Sequence, residues 1–285
     1  MIDPVIFSIQ LGTFTFALRW YGVFVMSGIV FGGWIANREI VKKGGNPEAL
    51  WDAMIWFLPA AIIGARLWYV INATIGGSNY YLEHPGQILN TTQGGLHFYG
   101  GLIFGALVLF VYLKRHKMEF WLFLDAIAPA ALLGQAFARP ANYINQELYG
   151  GPTNLPWGIP IDAVHRLPMY SDLTRYPVET TRFHPTFAYE MIWNILSFFA
   201  IYALIRKWKD FDKPGTAFSL WLIFAGFGRA FIEFFRPDQP LVYGDWMTTS
   251  MLVAFLMGLA GVVMLMIRQG WIKQRLIRFP DKYKV

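Results

Sequence analysis

The 285-residue sequence contains no cysteine, which excludes disulfides, Cys-ligated zinc, iron–sulfur clusters and an enzyme-borne thiol nucleophile. Charge is scarce as well. Asp, Glu, Lys and Arg make up 15% of the chain, against the roughly 25% that keeps a soluble domain hydrated. Fixed-period repeats and low-complexity tracts are missing too, which argues against solenoids and disordered linkers. What abounds is apolar: 55% hydrophobic residues, with 25 Phe, 14 Tyr and 12 Trp, at a mean hydropathy of +0.38. Such a chain is expected to fold inside a bilayer.

A spanning helix takes about 20 mostly apolar residues. Allowing single interior charges, seven spans are expected, near 16–37, 52–73, 95–113, 120–138, 186–205, 216–235 and 247–267. No short apolar run with a small-residue cleavage site opens the sequence, so the first span is expected to stay in the mature protein. Sixteen of the 24 Lys and Arg residues follow spans one, three, five and seven, whereas the opposite segments hold five Arg and no Lys. The positive-inside rule then puts the N-terminus outside and the tail in the cytoplasm. The net charge of +6 thus reflects topology, with the tail touching anionic lipid, and a nucleic-acid partner is not expected.

These expectations define an all-α integral membrane protein of about seven transmembrane helices, with a small outward-facing head between spans four and five. Its parts are residues 1–138 (spans one to four and an outer N-terminal segment), 139–183 (the head), 184–267 (spans five to seven) and 268–285 (a basic cytoplasmic tail). The head is rich in proline (Pro140, Pro152, Pro156, Pro160, Pro168, Pro177) and is expected to pack through turns and short strands.

An ionisable side chain at membrane depth costs about 2.5–3.5 kcal/mol on insertion scales and usually marks function. Here these are Arg19, Arg66, Asp125, Arg139, Glu147, Glu190, Arg229 and Glu233, with Arg236 at a helix end. Most fall toward the outer ends of their spans, so several helices converge on one outward polar site. Arg229 and Glu233, four apart on one face, could be a structural ion pair. Several Arg and few Lys there point instead to planar forks shaped for phosphate, as on a phospholipid head group. Asp125 reads as a cap or pair inside the bundle, and Arg66 as a snorkelling or pairing residue as readily as a ligand.

The run Gly134-Gln-Ala-Phe-Ala-Arg139-Pro-Ala-Asn142-Tyr-Ile-Asn145-Gln-Glu147-Leu-Tyr-Gly150 resembles the signature of the bacterial prolipoprotein diacylglyceryl transferases. Five further blocks are similar to that family in its order: Asp3 to Ile9 with Arg19-Trp-Tyr21-Gly22; Gly64-Ala-Arg66; Gly94 to Gly101; His184-Pro185-Thr-Phe-Ala-Tyr189-Glu190; and Gly228-Arg229-Ala-Phe-Ile-Glu233-Phe-Phe-Arg236. The resemblance implies a seven-helix enzyme that moves the diacylglyceryl group of phosphatidylglycerol to the lipobox cysteine thiol of a prolipoprotein. A thioether forms and glycerol phosphate leaves. It implies as partners phosphatidylglycerol, the prolipoprotein signal peptide and the bilayer, and as location the bacterial plasma (inner) membrane. No cofactor or metal is expected, and the protein is expected to be a monomer.

Arg139 and Arg229 are the candidates for holding the leaving phosphate, because preorganised donors in a dry site stabilise developing negative charge. Glu233, Tyr99 and His97 complete the catalytic candidates. Asn142, Asn145, Glu147, Gly150, Tyr21, Arg66, Glu190 and Arg236, together with Arg139, form the expected binding set. Asn142, Asn145 and Glu147 could equally cap the helix end, Gly150 is expected to supply a turn with positive φ, and His184-Pro185 to open the fifth span.

Two positions depart from the family pattern. Tyr99 stands where a His, the candidate base, precedes the paired glycines, while His97 lies two residues earlier, roughly 200° away on a helix, and is expected to face elsewhere as a packed residue. Arg139-Pro-Ala-Asn142 replaces Arg-x-Gly-Asn. A lipid transporter and a non-catalytic relative that binds phosphatidylglycerol or signal sequences remain as rivals. The first would commonly show paired repeats with broken helices, which are not seen.

Overall fold

The computed structural model describes residues 2–12, 14–90, 94–208, 211–237, 241–243, 246–272 and 279–283. Lys209, Lys273, Arg275, Arg278 and Lys284 of the expected cytoplasmic charges lie outside them. The chain opens with an antiparallel hairpin, β1 (Val5–Leu11) and β2 (Phe14–Arg19), and continues through α1 (Trp20–Lys42), α2 (Ala49–Ile75), a single turn α3 (Tyr80–Glu83), α4 (Phe98–Arg115) and α5 (Phe120–Ile144). After the head come α6 (Thr186–Lys207), α7 (Thr216–Glu233), the short antiparallel pair β3 (Leu241–Tyr243) and β4 (Met247–Thr248), and α8 (Thr249–Arg268).

Each of the seven expected spans falls on a helix. Among the described residues six of them (α1, α2, α5, α6, α7 and α8) are long and apolar enough to cross a membrane, and the 18-residue α4 occupies the third expected span. The protein is a mostly helical, multi-pass membrane protein.

Several boundaries move by a few residues, and two of the shifts bear on candidate site residues. The first span starts at Trp20 rather than near 16, because residues 14–19 pair with β1 and Arg19 ends a strand. Phe-Thr-Phe-Ala-Leu-Arg is mostly apolar, and an apolar window does not separate it from a helix start. The fourth span runs on through Pro140 to Ile144, so Arg139 and Asn142 stand on α5. The ring costs the helix one backbone donor, and flanking turns keep the remainder.

Two compact units are formed, one from residues 2–36 with Leu124–Tyr283, the other around Asn37–Phe123. In the first, α1 meets α5 at Gly28 and Gly134, and α7 meets α8 at Gly226 and Gly258; a Cβ at Gly28 or Gly226 would strike the facing backbone. Such small-residue seams bring helices together where lipid supplies no hydrophobic drive. At the other end of the bundle Asp125 accepts the backbone N–H groups of Gly215 (2.5 Å) and Phe218 (2.7 Å), capping α7 as a residue of α5.

The head packs around Phe183, which is fully buried, with Tyr149 and Tyr170 rings 5.1 and 5.3 Å away and Ile161 beside them. The Arg166 guanidinium lies 5.3 Å over the Phe183 ring and donates from Nε to the Ile161 carbonyl (3.1 Å). Its regular structure is limited to 3₁₀ turns at Ala163–His165 and Pro168–Tyr170 and the bridges of Phe183 to Pro152 and Ile159.

In the second unit α2 and α4 meet at Gly64 and Gly100. Arg66, buried on α2, gathers the segment before α4: Nε donates to the Ile88 carbonyl (2.7 Å), Nη2 to Gln87 (2.8 Å) and Nη1 to Gly94 and Gly95 (3.1 and 3.0 Å). Its guanidinium also sits 5.5 and 5.4 Å from the Tyr69 and Tyr81 rings. Four backbone carbonyls and two aromatic rings are what a buried cation needs when no carboxylate is near.

Candidate active site

Four helices of the first unit deliver charged or capping residues to one place. Arg139 and Asn142 come from the last turns of α5, Glu190 from the second turn of α6, Arg229 and Glu233 from the end of α7, and Thr248 from the start of α8. Glu190 is the hub. Its Oε1 is ion-paired with Arg139 Nη2, and its Oε2 accepts from Arg229 Nη1 (3.4 Å). Arg229 Nη2 lies 2.8 Å from Glu233 Oε2, the expected i, i+4 pair, and Thr248 Oγ1 donates to Glu233 Oε1 (3.3 Å). Thr248 at the same time caps α8 by accepting the Met251 N–H (3.0 Å).

On its other side Arg139 Nη1 donates to Asn142 Oδ1 (3.3 Å), and the amides of Asn142 and Asn145 both donate to Glu147 Oε1 (2.9 and 3.1 Å). One connected network therefore joins Arg139, Asn142, Asn145, Glu147, Glu190, Arg229 and Glu233. Glu233 is wholly buried, while 29% of the Arg229 side chain stays accessible, which makes Arg229 the member of that pair able to meet a ligand. Arg139 Nε is buried without a hydrogen-bond partner among the described residues. The arrangement holds two guanidinium groups by their edges and leaves donors over, as an anion site requires.

A family model described as prolipoprotein diacylglyceryl transferase matches residues 4–267. The chain belongs to this family. Its relatives include a protein of Enterococcus faecalis, 36% identical over 262 residues that cover 92% of this chain and 90% of the relative. One from Streptococcus pneumoniae serotype 4 is 36% identical over 270 residues, covering 95% of each chain, and one from Chloroflexus aggregans is 33% identical over 249 residues, covering 85% and 80%. All three are named phosphatidylglycerol–prolipoprotein diacylglyceryl transferase.

The remaining family-block residues are placed as follows. Tyr21 is exposed in the first turn of α1, and Arg236 is buried just beyond α7, its backbone N–H on the Glu233 carbonyl (3.0 Å). Gly150 does not have positive φ; that conformation falls on Gln146 and Leu148 (φ 52° and 53°). Glycine is needed at 150 because a Cβ would strike the Phe235 carbonyl and crowd His184 and Thr186. Backbone approach, not turn geometry, is its reason.

His97 and Tyr99 belong to the second unit. The expectation that they face apart fails, because His97 is the N-cap of α4 with extended backbone (φ −107°, ψ 123°) and the helical angle does not apply to it. The two rings lie 5.6 Å apart at 32°. Tyr99 is exposed, whereas His97 Nδ1 is buried and unpartnered among the described residues.

Sequence reasoning missed Thr248 and the chain formed by Trp157, Tyr189 and His184. Trp157 Nε1 donates to the Tyr189 hydroxyl (2.8 Å), which lies 3.0 Å from His184 Nδ1. Burial holds the His184 imidazole below its usual pKa, which favours the neutral ring. Three aromatic residues separated by up to 32 positions carry no local signal.

Proposed function

We propose that this protein transfers the diacylglyceryl group of phosphatidylglycerol to the lipobox cysteine of prolipoproteins, with Arg139 and Arg229 holding the phosphate that leaves. The observation that carries the reading is that Arg139 and Arg229, from two different helices, are oriented by one shared carboxylate.

In the reaction the substrate sulfur forms a bond to the terminal glyceryl carbon, the bond from that carbon to the phosphate oxygen breaks, and glycerol phosphate departs with the electron pair. The thiol gives up its proton. Negative charge grows on the phosphate as the bond breaks, and donors already in place stabilise it without reorganising. Glu190 and Glu233 fix the guanidinium planes, and Asn142, Asn145, Glu147 and Gly150 shape the rim through which the head group is held. Tyr21 and Arg236 are kept in the binding set on the family blocks that contain them. Tyr99 and His97 are the candidates for the thiol proton; a phenol is a weak base and needs a cation's assistance to act as one. The protein is read as a monomer of the bacterial plasma membrane with its N-terminus outside and its tail in the cytoplasm.

Expression in a bacterium depleted of its own transferase tests the assignment. Accumulated unmodified prolipoprotein should convert to the diacylglyceryl form, and its persistence beside well-inserted protein would refute the proposal.

A further inference from the structure

The N-cap of helix α7 is Gly215, whose backbone is left-handed (φ +89°) and whose missing side chain gives the helix no cap of its own. Its first N–H groups, which any helix leaves without intrahelical partners, are met from another helix. Asp125 Oδ2 accepts from Gly215 and Oδ1 from Phe218, and the side chain is buried. A Ser, Asn or Asp caps its own helix from an extended backbone, which the left-handed Gly215 does not offer. Capping from α5 does something more: it ties the axial position of one helix to that of the other.

The consequence lies at the opposite ends. Arg139 stands fourteen residues beyond Asp125 on α5, and Arg229 fourteen residues beyond Gly215 on α7. At about 1.5 Å per residue both rise roughly 21 Å from the clamp, which brings the two guanidinium groups level. They meet there on Glu190. A third group completes the clamp: the Tyr283 hydroxyl of the tail donates to Asp125 Oδ2 (2.9 Å). Burial and the Asp125 carboxylate push the Tyr283 phenol far above its ordinary pKa, so it remains a donor. The tail is brought there by Arg268, which donates to the Pro280 carbonyl (3.0 Å) and lies 5.5 Å over the Phe279 ring.

We propose that Asp125 is a positioning residue for the transfer reaction, setting the register of α7 against α5 so that Arg229 meets Arg139 at one height, with Tyr283 as the second half of the clamp. This rests on the proposed function for its catalytic consequence and on geometry alone for its structural one. Without the carboxylate, α7 slips by as little as one residue, about 1.5 Å, and misplacement on the order of 1 Å costs roughly a hundredfold in rate.

The test uses the full chain in lipid vesicles. Because the sequence has no cysteine, Phe137→Cys on α5 and Phe231→Cys on α7, both exposed positions, accept a unique pair of spin labels near the two arginines. Asp125→Ala should shift or broaden the label-to-label distance distribution. In unlabelled protein it should lower kcat about 10- to 100-fold with KM for phosphatidylglycerol within about threefold. Asp125→Asn, which keeps shape and one acceptor, and Tyr283→Phe, which keeps both N–H bonds, should fall between it and the parent in both readouts. An unchanged distance distribution in folded Asp125→Ala, or a kcat per folded molecule within about twofold of the parent, would overturn the inference and leave Asp125 a purely structural cap. The distance measurement needs no turnover, so absence of transfer in the parent would refute the proposed function while the register is still decided.

Discussion

Arg139 and Arg229 are held on the two oxygens of one carboxylate, that of Glu190, although they come from different helices. This fixes the spacing and plane of two guanidinium groups in a medium where an unpaired cation is costly. A phosphate arriving between them finds its donors already aimed.

Replacing either arginine should therefore stop the chemistry without removing the protein. Arg139→Ala and Arg229→Ala are each expected to lower transfer by about 100- to 1,000-fold, the scale for losing one preorganised donor to developing negative charge. Arg→Lys keeps the charge but not the fork and should restore little. Immunoblots of membranes alongside transfer assays check this; near-parent rates in both alanine variants would remove the pair from the mechanism.

Glu190 acts through its two partners. Glu190→Gln preserves size and one acceptor but loses the charge that orders both guanidinium groups, so kcat should fall about 10- to 100-fold with the protein still inserted. Steady-state kinetics in vesicles decide it. A change confined to KM would make Glu190 a binding group instead.

For the thiol proton, the adjacency of His97 and Tyr99 sets up a direct comparison. Tyr99→Ala should reduce transfer more than His97→Ala, because Tyr99 is the exposed member of the pair. The opposite order, measured at equal membrane abundance, would assign the base to His97, whose Nδ1 has no partner among the described residues.

The His184 imidazole makes stability depend on pH. Its pKa in the fold lies below the usual value of 6.5, so the folded protein resists a proton that the unfolded chain accepts. Stability is full above the unfolded value and falls as pH drops through it toward the lower folded value. Protonation would also make both ring nitrogens donors, with Nδ1 facing the Tyr189 hydroxyl. Thermal unfolding at pH 8 and pH 5.5 should show this loss, and His184→Gln should flatten it; equal pH slopes in the two proteins would contradict it.

The helices were legible because runs such as Trp20–Asn37 and Trp246–Ile267 are uncharged at the length of a bilayer crossing. Their ends were less so. Residues 14–19 are as apolar as a helix start, and only pairing with Val5–Leu11 makes them a strand; Pro140 reads as a stop, yet α5 passes it. Arg139, Asn142, Glu147, Arg229 and Glu233 were visible as ionisable or amide residues concentrated near one set of span ends, and i, i+4 spacing exposed the Arg229–Glu233 pair. That Glu190 would bridge two arginines depends on how three helices pack, which no local pattern encodes. Thr248 carries no charge and no motif to single it out, and the backbone partners of Arg66 come from a loop some twenty residues away.

The central claim is that this chain itself makes the thioether. Purified protein in vesicles holding phosphatidylglycerol with labelled acyl chains, given a lipobox peptide, should yield a peptide that carries the label and gains the mass of one diacylglyceryl group, with glycerol phosphate released in equal amount. The peptide should stay unmodified when its cysteine is serine or when phosphatidylglycerol is left out. Label that binds without a covalent product, or moves across the bilayer unchanged, would contradict the account.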